Sequence, residues 1–145
     1  MLSTLRGGLC LATTAAVVLA GCGGDDDTLT KSQFIKQADA ICKQGNKRIE
    51  AQAEDTLPAN EPPSKAQLTT FATETLIPDI QRQVDEVREL NEPSEDEDQV
   101  NAFLDSAQSE LDKGEEDPLY ITSDKSFAKT NRLGKQYGFK VCSQG

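Results

Sequence analysis

Apolar residues recur at helical spacing in four stretches of the chain, and each stretch begins with residues that can cap a helix. Thr30 and Gln33 have the spacing of a capping box, in which each side chain accepts a hydrogen bond from the other residue's backbone N–H. The pattern therefore predicts a first helix over 30–54. Its apolar face carries Phe34, Ala38, Ile41, Cys42 and Ile49.

A second and longer apolar stripe follows a proline-rich loop at 58–63 and continues to about residue 90. Ser64 and Gln67 repeat the capping-box spacing at its start. Pro78 lies inside the stripe, where it removes a backbone hydrogen bond and crowds the preceding turn, so we expect a kink at 75–77. The stripe consists of Leu68, Phe71, Thr75, Leu76, Ile80, Val84 and Val87.

The third stretch begins at a turn around Pro93, and Ser94 with Glu97 is a third candidate capping box. Four carboxylates at 95–98 lie where the helix dipole favours negative charge. We expect this helix to end at Gly114. Its apolar face carries Val100, Phe103, Leu104, Ala107 and Leu111.

The last stretch follows an irregular connection at 115–122, whose apolar residues 119–121 are expected to plug the core. Ser123 with Asp124 is expected to open a short final helix, and Gly138 to end it in a left-handed turn. Alternating apolar and polar runs that would indicate strands are missing. The fold class expected is all-α, a small antiparallel bundle of about four helices over residues 30–145.

The first 21 residues have the pattern of a lipoprotein signal peptide. A positively charged start, to which Arg6 contributes, precedes an apolar run too short to span a bilayer. A buried N-terminal helix would also be apolar, but the run ends in a tetrapeptide that looks like the lipobox of bacterial lipoproteins: Leu19, Ala20, Gly21 and Cys22. The resemblance implies that signal peptidase recognises Leu19, Ala20 and Gly21, and that Cys22 receives the lipid. We expect a lipid-anchored protein on the extracytoplasmic face of the cell membrane.

Residues 22–29 form a predicted flexible tether, and its glycine- and aspartate-rich part from Gly23 to Thr28 reaches roughly 20 Å when extended. The chain as a whole is acidic, with a formal net charge of -10. Because such a surface repels polyphosphate, nucleic acid is not an expected partner. The partners expected are the membrane, through the lipid on Cys22, and an envelope protein or cell-wall component.

Cysteine usage fits an exported protein. Cys10 lies in the predicted signal peptide and Cys22 is the predicted lipid acceptor, which leaves Cys42 and Cys142. In an oxidising compartment this pair is expected to form a disulfide, although two free buried thiols would also satisfy the pattern.

The available chemistry argues against catalysis and against a bound metal. The chain has no histidine, so the commonest general base and the commonest metal ligand are both missing. The acidic run at 95–98 is explained by helix capping without a metal ion. Glycine-rich phosphate-binding loops are also missing from the sequence. We therefore expect neither enzymatic activity nor a cofactor.

Two short segments resemble a group of small actinobacterial lipoproteins and secreted proteins. They are the "ADAIC" segment at 38–42 and the "YGFKVC" segment at 137–142. The resemblance implies the helical fold, the disulfide between Cys42 and Cys142, and an anchor on the outer face of the cytoplasmic membrane. It implies no catalytic residue.

Two functional hypotheses follow. The first is an envelope-anchored interaction or structural module, which the anchor, the short tether and the polar surface favour. The alternative is a carrier or sensor of a small apolar ligand or lipid held between the helices, with the kink near Pro78 and residues 119–121 at its opening. An enzyme that uses paired carboxylates is the least favoured class.

Overall fold

The architecture is an antiparallel helical bundle, as the sequence predicts. A computed structural model describes residues 28–144, and within this range there are helices and no strands. The predicted all-α fold is confirmed. The helices are α1 (Lys31–Thr56), α2 (Lys65–Phe71), α3 (Ile77–Arg88), α4 (Glu97–Glu116), α5 (Pro118–Ile121) and α6 (Ala128–Tyr137).

The first two predicted capping boxes are present. Gln33 N–H donates to Thr30 Oγ1 at 3.3 Å, and Thr30 N–H donates to Gln33 Oε1 at 2.9 Å. Ser64 and Gln67 make the same pair of bonds at the start of α2. These local bonds satisfy N–H groups that the first turn of a helix leaves without a partner.

The distortion predicted near Pro78 is a π-helical turn at Ala72–Leu76 that joins α2 to α3. At its end, Ile77 N–H donates to Ala72 O, five residues earlier. Pro78 follows directly and has no N–H to donate, and its ring crowds the preceding turn of a regular helix. The wider π turn accommodates the proline and lets a single apolar stripe continue through both helices.

Helices α1 and α3 pack side by side in opposite directions. Arg48 of α1 pairs with Asp79 at the start of α3. At the other end of this helix pair, Leu29 N–H donates to Asn91 O at 2.9 Å. Leu29 is one residue before the predicted start of the helical domain.

Helix α4 packs between α3 and α6 and runs antiparallel to both. Gln81 of α3 and Gln108 of α4 exchange side-chain hydrogen bonds at 3.0 and 3.1 Å. On the other side, the Ser106 and Thr130 hydroxyls lie 2.9 Å apart in a buried hydrogen bond between α4 and α6. The residues at the centre of the core are almost inaccessible to solvent: Phe34, Ala38, Ala72, Val87, Val100, Leu104, Leu111 and Phe139.

The prediction of a third capping box at Ser94 and Glu97 is wrong. The N-cap of α4 is Asp96, and its side chain makes no capping hydrogen bond. Instead, the Asp96 carboxylate pairs with Lys31 at 3.3 Å and accepts a bond from the Tyr137 hydroxyl at 3.1 Å. The carboxylate at the start of α4 thus binds residues of two other helices instead of capping its own.

Helix α4 also continues past Gly114, where we expected it to end. Gly114 is buried, and a Cβ at this position would lie 2.9 Å from Ile121 Cδ1, so the glycine allows α5 to pack against α4. The helix ends at Glu116 because Asp117 and Pro118 begin α5, where Leu119 N–H donates to the Asp117 carboxylate. The predicted irregular connection therefore contains a single helical turn.

The final helix begins at Ala128 rather than at Ser123 and Asp124. The Ser123 hydroxyl donates to Tyr120 O at 2.7 Å, and the Ser126 hydroxyl donates to Ser123 O at 2.8 Å. These bonds favour turns over helix. The predicted end is correct: Gly138 has φ of 117° and closes α6.

Residues 28–144 contain no helix that is both long enough and apolar enough to cross a membrane.

Candidate functional site

A half-open cleft of about 360 Å³ lies between α1, α3, α4 and α6. Its interior is mainly apolar, and the disulfide between Cys42 and Cys142 forms part of one wall. Half-buried and exposed polar residues, among them Asn46, Glu50 and Gln144, lie at its rim. The apolar wall includes Ile49, Leu76, Ile80, Val84, Val87, Phe103, Leu104, Ala107 and Ile121.

The α1–α3 side of the cleft is fixed by a close helix approach. Gly45 of α1 is buried against the Gln83 side chain of α3, and a Cβ on Gly45 would overlap that side chain. Gln83 lines the cleft, and its Nε2 lies 3.3 Å from Asp79 O. A larger residue at position 45 would force the Gln83 side chain to move.

Ion pairs of Asp79 stabilise the same α1–α3 side of the cleft. Its buried carboxylate accepts from Arg48 Nε at 2.9 Å and pairs with Arg82 Nη1 at 3.0 Å. The Arg48 bond joins the middle of α1 to the first turn of α3. A buried carboxylate is costly unless it is paired, and Arg82, from α3 itself, shares in this pairing. The Arg48 contact holds the register between the two helices.

The C-terminal segment forms the wall between α1 and α6. Cys42 and Cys142 are bonded, with their Cα atoms 5.3 Å apart, so the predicted disulfide is confirmed. The Asp39 carboxylate accepts three consecutive backbone N–H groups, from Lys140 at 3.0 Å, Val141 at 2.8 Å and Cys142 at 3.1 Å. The two short segments that resemble the actinobacterial group are therefore joined both covalently and by a carboxylate–backbone contact.

The buried carboxylate of Glu110 and its hydrogen-bond partners hold the end of the cleft near Phe127. The Glu110 carboxylate accepts from Lys113 Nζ at 2.8 Å, from the Tyr120 hydroxyl and from Phe127 N–H at 3.3 Å. Phe127 lines the cleft with φ of 56°, a left-handed conformation that costs energy for a residue other than glycine. The Glu110 contact is one of the bonds that hold this residue in place.

The ionisation of this cluster follows from its contacts. Burial raises the pKa of Glu110, but the hydrogen bonds from Lys113, Tyr120 and Phe127 outweigh it, and the net pKa lies below its usual range. The hydrogen bond to Glu110 raises the pKa of Tyr120, and the pKa of Lys113 is raised by the same partner. Glu110 is thus a stable carboxylate with a structural role.

Tyr137 is a second site where the surroundings shift a pKa. Its burial, together with the neighbouring Asp96 carboxylate, raises the pKa of its hydroxyl well above the usual range for tyrosine. Lys31 Nζ lies 4.1 Å from the centre of the Tyr137 ring and also pairs with Asp96. These contacts join the starts of α1 and α4 to the end of α6, away from the cleft.

The part of the chain that the structure describes holds no cluster of three histidine, cysteine, aspartate or glutamate side chains placed to bind a metal ion. Of the residues singled out by sequence, the structure brings Cys42 and Cys142 together at the cleft. Leu19, Ala20, Gly21 and Cys22 lie outside the described residues. Ile121, from the predicted apolar plug, lines the cleft together with Leu76 and Ile80 of the distorted helix.

Sequence reasoning missed the residues that position this site. Gly45 interrupts an apolar helical face, and that is the only local signal of a close helix approach. Glu110 belongs to a strongly acidic stretch, and no local feature of the sequence indicates that it is buried. Asp39 lies inside the "ADAIC" segment, but its partner is about a hundred positions away.

Comparisons with family models, with curated proteins and with solved structures find no match to this chain.

Proposed function

We propose that the protein is a lipid-anchored extracytoplasmic lipoprotein whose helical domain binds a small apolar molecule, or the acyl part of a lipid, in the cleft between its helices. The cleft is the observation that carries this proposal, because its wall is mainly apolar, it is partly open, and it is bounded by the disulfide. The lipobox-like tetrapeptide supports the anchor on Cys22 and the extracytoplasmic location.

The size and chemistry of the cleft fit a small ligand. Its volume of about 360 Å³ is near the lower end of the range of small-molecule sites, which are concave, mainly apolar and supplied with a few polar groups. The polar residues Asn46, Gln144 and Glu50 lie at the rim. An amphipathic molecule would place its apolar part inside and its polar end among these side chains.

The proposal requires no enzymatic activity and no cofactor. The buried titratable groups of the described residues are committed to structural contacts: Asp79 to two arginines, and Glu110 to Lys113, Tyr120 and a backbone N–H. The sequence offers no histidine as a general base. Ligand binding uses the features of the cleft directly.

Native mass spectrometry of the mature protein, purified gently from its own envelope, tests the proposal. A reproducible extra mass that is lost on denaturation supports it and identifies the ligand class. A bare protein that also fails to bind the fluorescent fatty acid cis-parinaric acid overturns it. That outcome favours an envelope-protein or cell-wall partner, which crosslinking in intact cells would identify.

Two alanine-to-leucine substitutions on α4 locate the binding site. Ala107→Leu adds three carbons to the buried wall of the cleft and is expected to weaken cis-parinaric acid binding at least tenfold, the effect of losing about 1.4 kcal/mol. Ala102→Leu makes the same change at an exposed position on the same helix and should leave binding unchanged. Equal binding by both folded variants would place any ligand outside the cleft.

A further inference from the structure

The charge of this acidic protein is divided very unevenly along the chain. Residues 30–48 carry five basic side chains and one acidic side chain, and residues 124–144 carry the same numbers. Residues 49–123, between them, carry twenty acidic and four basic side chains. The net negative charge therefore conceals two basic segments at the ends of the helical domain.

The fold brings these two basic segments together. The disulfide and the bonds from Asp39 to the 140–142 backbone attach the C-terminal segment directly to α1. Lys36 and Lys43 are three residues before and four residues after Asp39, so they share its side of the helix. Lys140, whose own N–H donates to Asp39, joins the same surface.

Helix α6, whose buried Gly134 lies against Ser143 of the C-terminal segment, carries three further exposed basic side chains. Lys129, Arg132 and Lys135 recur every three residues along it, and all three are exposed. Lys36, Lys43, Lys47 and Lys140 are exposed as well. None of these seven side chains forms an ion pair within the described residues, in contrast to Lys31, Arg48, Arg82, Arg88 and Lys113. We call the seven the basic face.

We infer that the basic face rests on the anionic headgroups of the membrane surface and orients the domain there. Opposite charge favours this contact, and α1, which carries Lys36, Lys43 and Lys47 of the basic face, is the first described helix after the tether predicted at 22–29. The eight positions from Cys22 to Thr30 span at most about 28 Å. Helix α1 covers about 26 Å from Thr30 to Lys47, so the tether allows the basic face to lie along the bilayer.

This orientation also places the cleft near the lipid. The rim residues Asn46 and Asn131 are one helical turn from Lys43 on α1 and from Lys135 on α6, so the mouth of the cleft opens beside the basic face. The inference rests on charge placement and holds whether or not the cleft binds the ligand class proposed above.

The test uses the chain from Gly23 onward, which lacks the predicted lipid acceptor, so that membrane binding cannot arise from the anchor. The core cluster and the disulfide lie entirely within residues 29–142, and circular dichroism verifies the fold. Vesicles of phosphatidylglycerol mixed with phosphatidylcholine should bind this chain, and vesicles of phosphatidylcholine alone should not. Raising the salt concentration should release it, since mobile ions screen exposed charges.

Substitutions on α6 give the decisive comparison. Replacing Lys129, Arg132 and Lys135 together with glutamine should weaken vesicle binding about a hundredfold, at about fivefold for each basic side chain near the surface. A matched variant lowers the net charge by the same amount on the acidic part of the chain. Its substitutions are Gln52→Glu, Asn60→Asp and Asn101→Asp, all at exposed positions, and it should bind vesicles nearly as the parent does.

Equal weakening by both variants would show that only net charge matters and would overturn the proposal. Absence of binding to phosphatidylglycerol vesicles by the folded parent chain would overturn it too. Binding to soluble polyphosphate but not to vesicles would assign the basic face to a polyanion other than the membrane. Cleft binding of cis-parinaric acid is measured separately, so either proposal can fail alone.

Discussion

Asp39 is expected to be a principal attachment of the C-terminal segment besides the disulfide. Its carboxylate accepts N–H groups from three consecutive residues at 2.8–3.1 Å. Hydrogen bonds to a charged group contribute about 1.5–3 kcal/mol each when buried. The site is half-buried, and water can replace the lost acceptor in part, so the total falls well below three times that value.

Replacing Asp39 with alanine should therefore lower the free energy of unfolding by about 2–3 kcal/mol. For a domain of this size, about 4 °C is lost for each kcal/mol, so the midpoint of thermal unfolding should fall by roughly 8–12 °C. Asp39→Asn keeps an acceptor oxygen but loses the charge, and it should show about half of this effect. Thermal unfolding of the oxidised protein, followed by circular dichroism, measures all three chains.

The control is Asp55→Ala, which removes an exposed carboxylate from the same helix. It should change the stability by no more than about 0.5 kcal/mol, as is usual for surface substitutions. If Asp39→Ala lies within this range while the disulfide remains intact, the carboxylate–backbone contact does not stabilise the fold and the reasoning fails.

Three further predictions concern the disulfide, the anchor and pH. Replacing Cys42 and Cys142 together with alanine opens a loop of 100 residues and should lower the free energy of unfolding by about 4–5 kcal/mol. Urea unfolding of this variant, compared with the oxidised and the reduced parent, measures the loss. Replacing Cys22 with serine should release the protein from the membrane or leave an uncleaved precursor; full processing with retention on the membrane would contradict the lipobox assignment. Because contacts lower the pKa of Glu110, its stabilisation is complete above about pH 5 and is lost as the pH falls through the lowered pKa. Glu110→Gln should remove this part of the acid sensitivity, and an unchanged stability profile between pH 2 and 5 would refute the assignment.

Much of the fold could be predicted because its signals are local. A capping box depends on two residues three positions apart, and Thr30–Gln33 and Ser64–Gln67 both form one. The apolar period indicates which face of each helix packs inward. Pro78 identifies a distortion because its missing N–H affects the helix itself, although the sequence did not show that the distortion would be a π turn.

Two of the errors occur where a tertiary contact competes with a local signal. Gly114 has the usual character of a helix end, but here it makes room for Ile121. Asp96 lies at the start of α4 and binds Lys31 and Tyr137 instead of capping its own helix. Gly114 was singled out from the sequence, whereas Asp96 was expected only as one of the four carboxylates at 95–98. The partner of neither residue could be known from nearby positions.

The cleft could not be predicted from the sequence because it is a space left between packed elements. The residues that line it look like ordinary core residues on four different helices. Only their relative placement shows that they do not fill the interior. That placement depends on long-range pairs such as Arg48 with Asp79 and Asp39 with the C-terminal backbone.

Gly45 provides a direct test of the close approach that shapes the cleft. In the middle of a helix, glycine to alanine normally stabilises by about 1 kcal/mol. In this protein the new methyl group overlaps the buried Gln83 side chain, and such overpacking costs about 1–3 kcal/mol, so Gly45→Ala should be destabilising by roughly 1 kcal/mol.

The sign should reverse when the obstruction is removed. In a Gln83→Ala background, Gly45→Ala should stabilise the protein by about 1 kcal/mol, because only its helix preference remains. Urea unfolding of the four chains of this double-mutant cycle measures the coupling between the two positions, expected to be about 2 kcal/mol. If Gly45→Ala has the same effect in both backgrounds, Gln83 does not pack against position 45, and the α1–α3 wall of the cleft must be arranged differently.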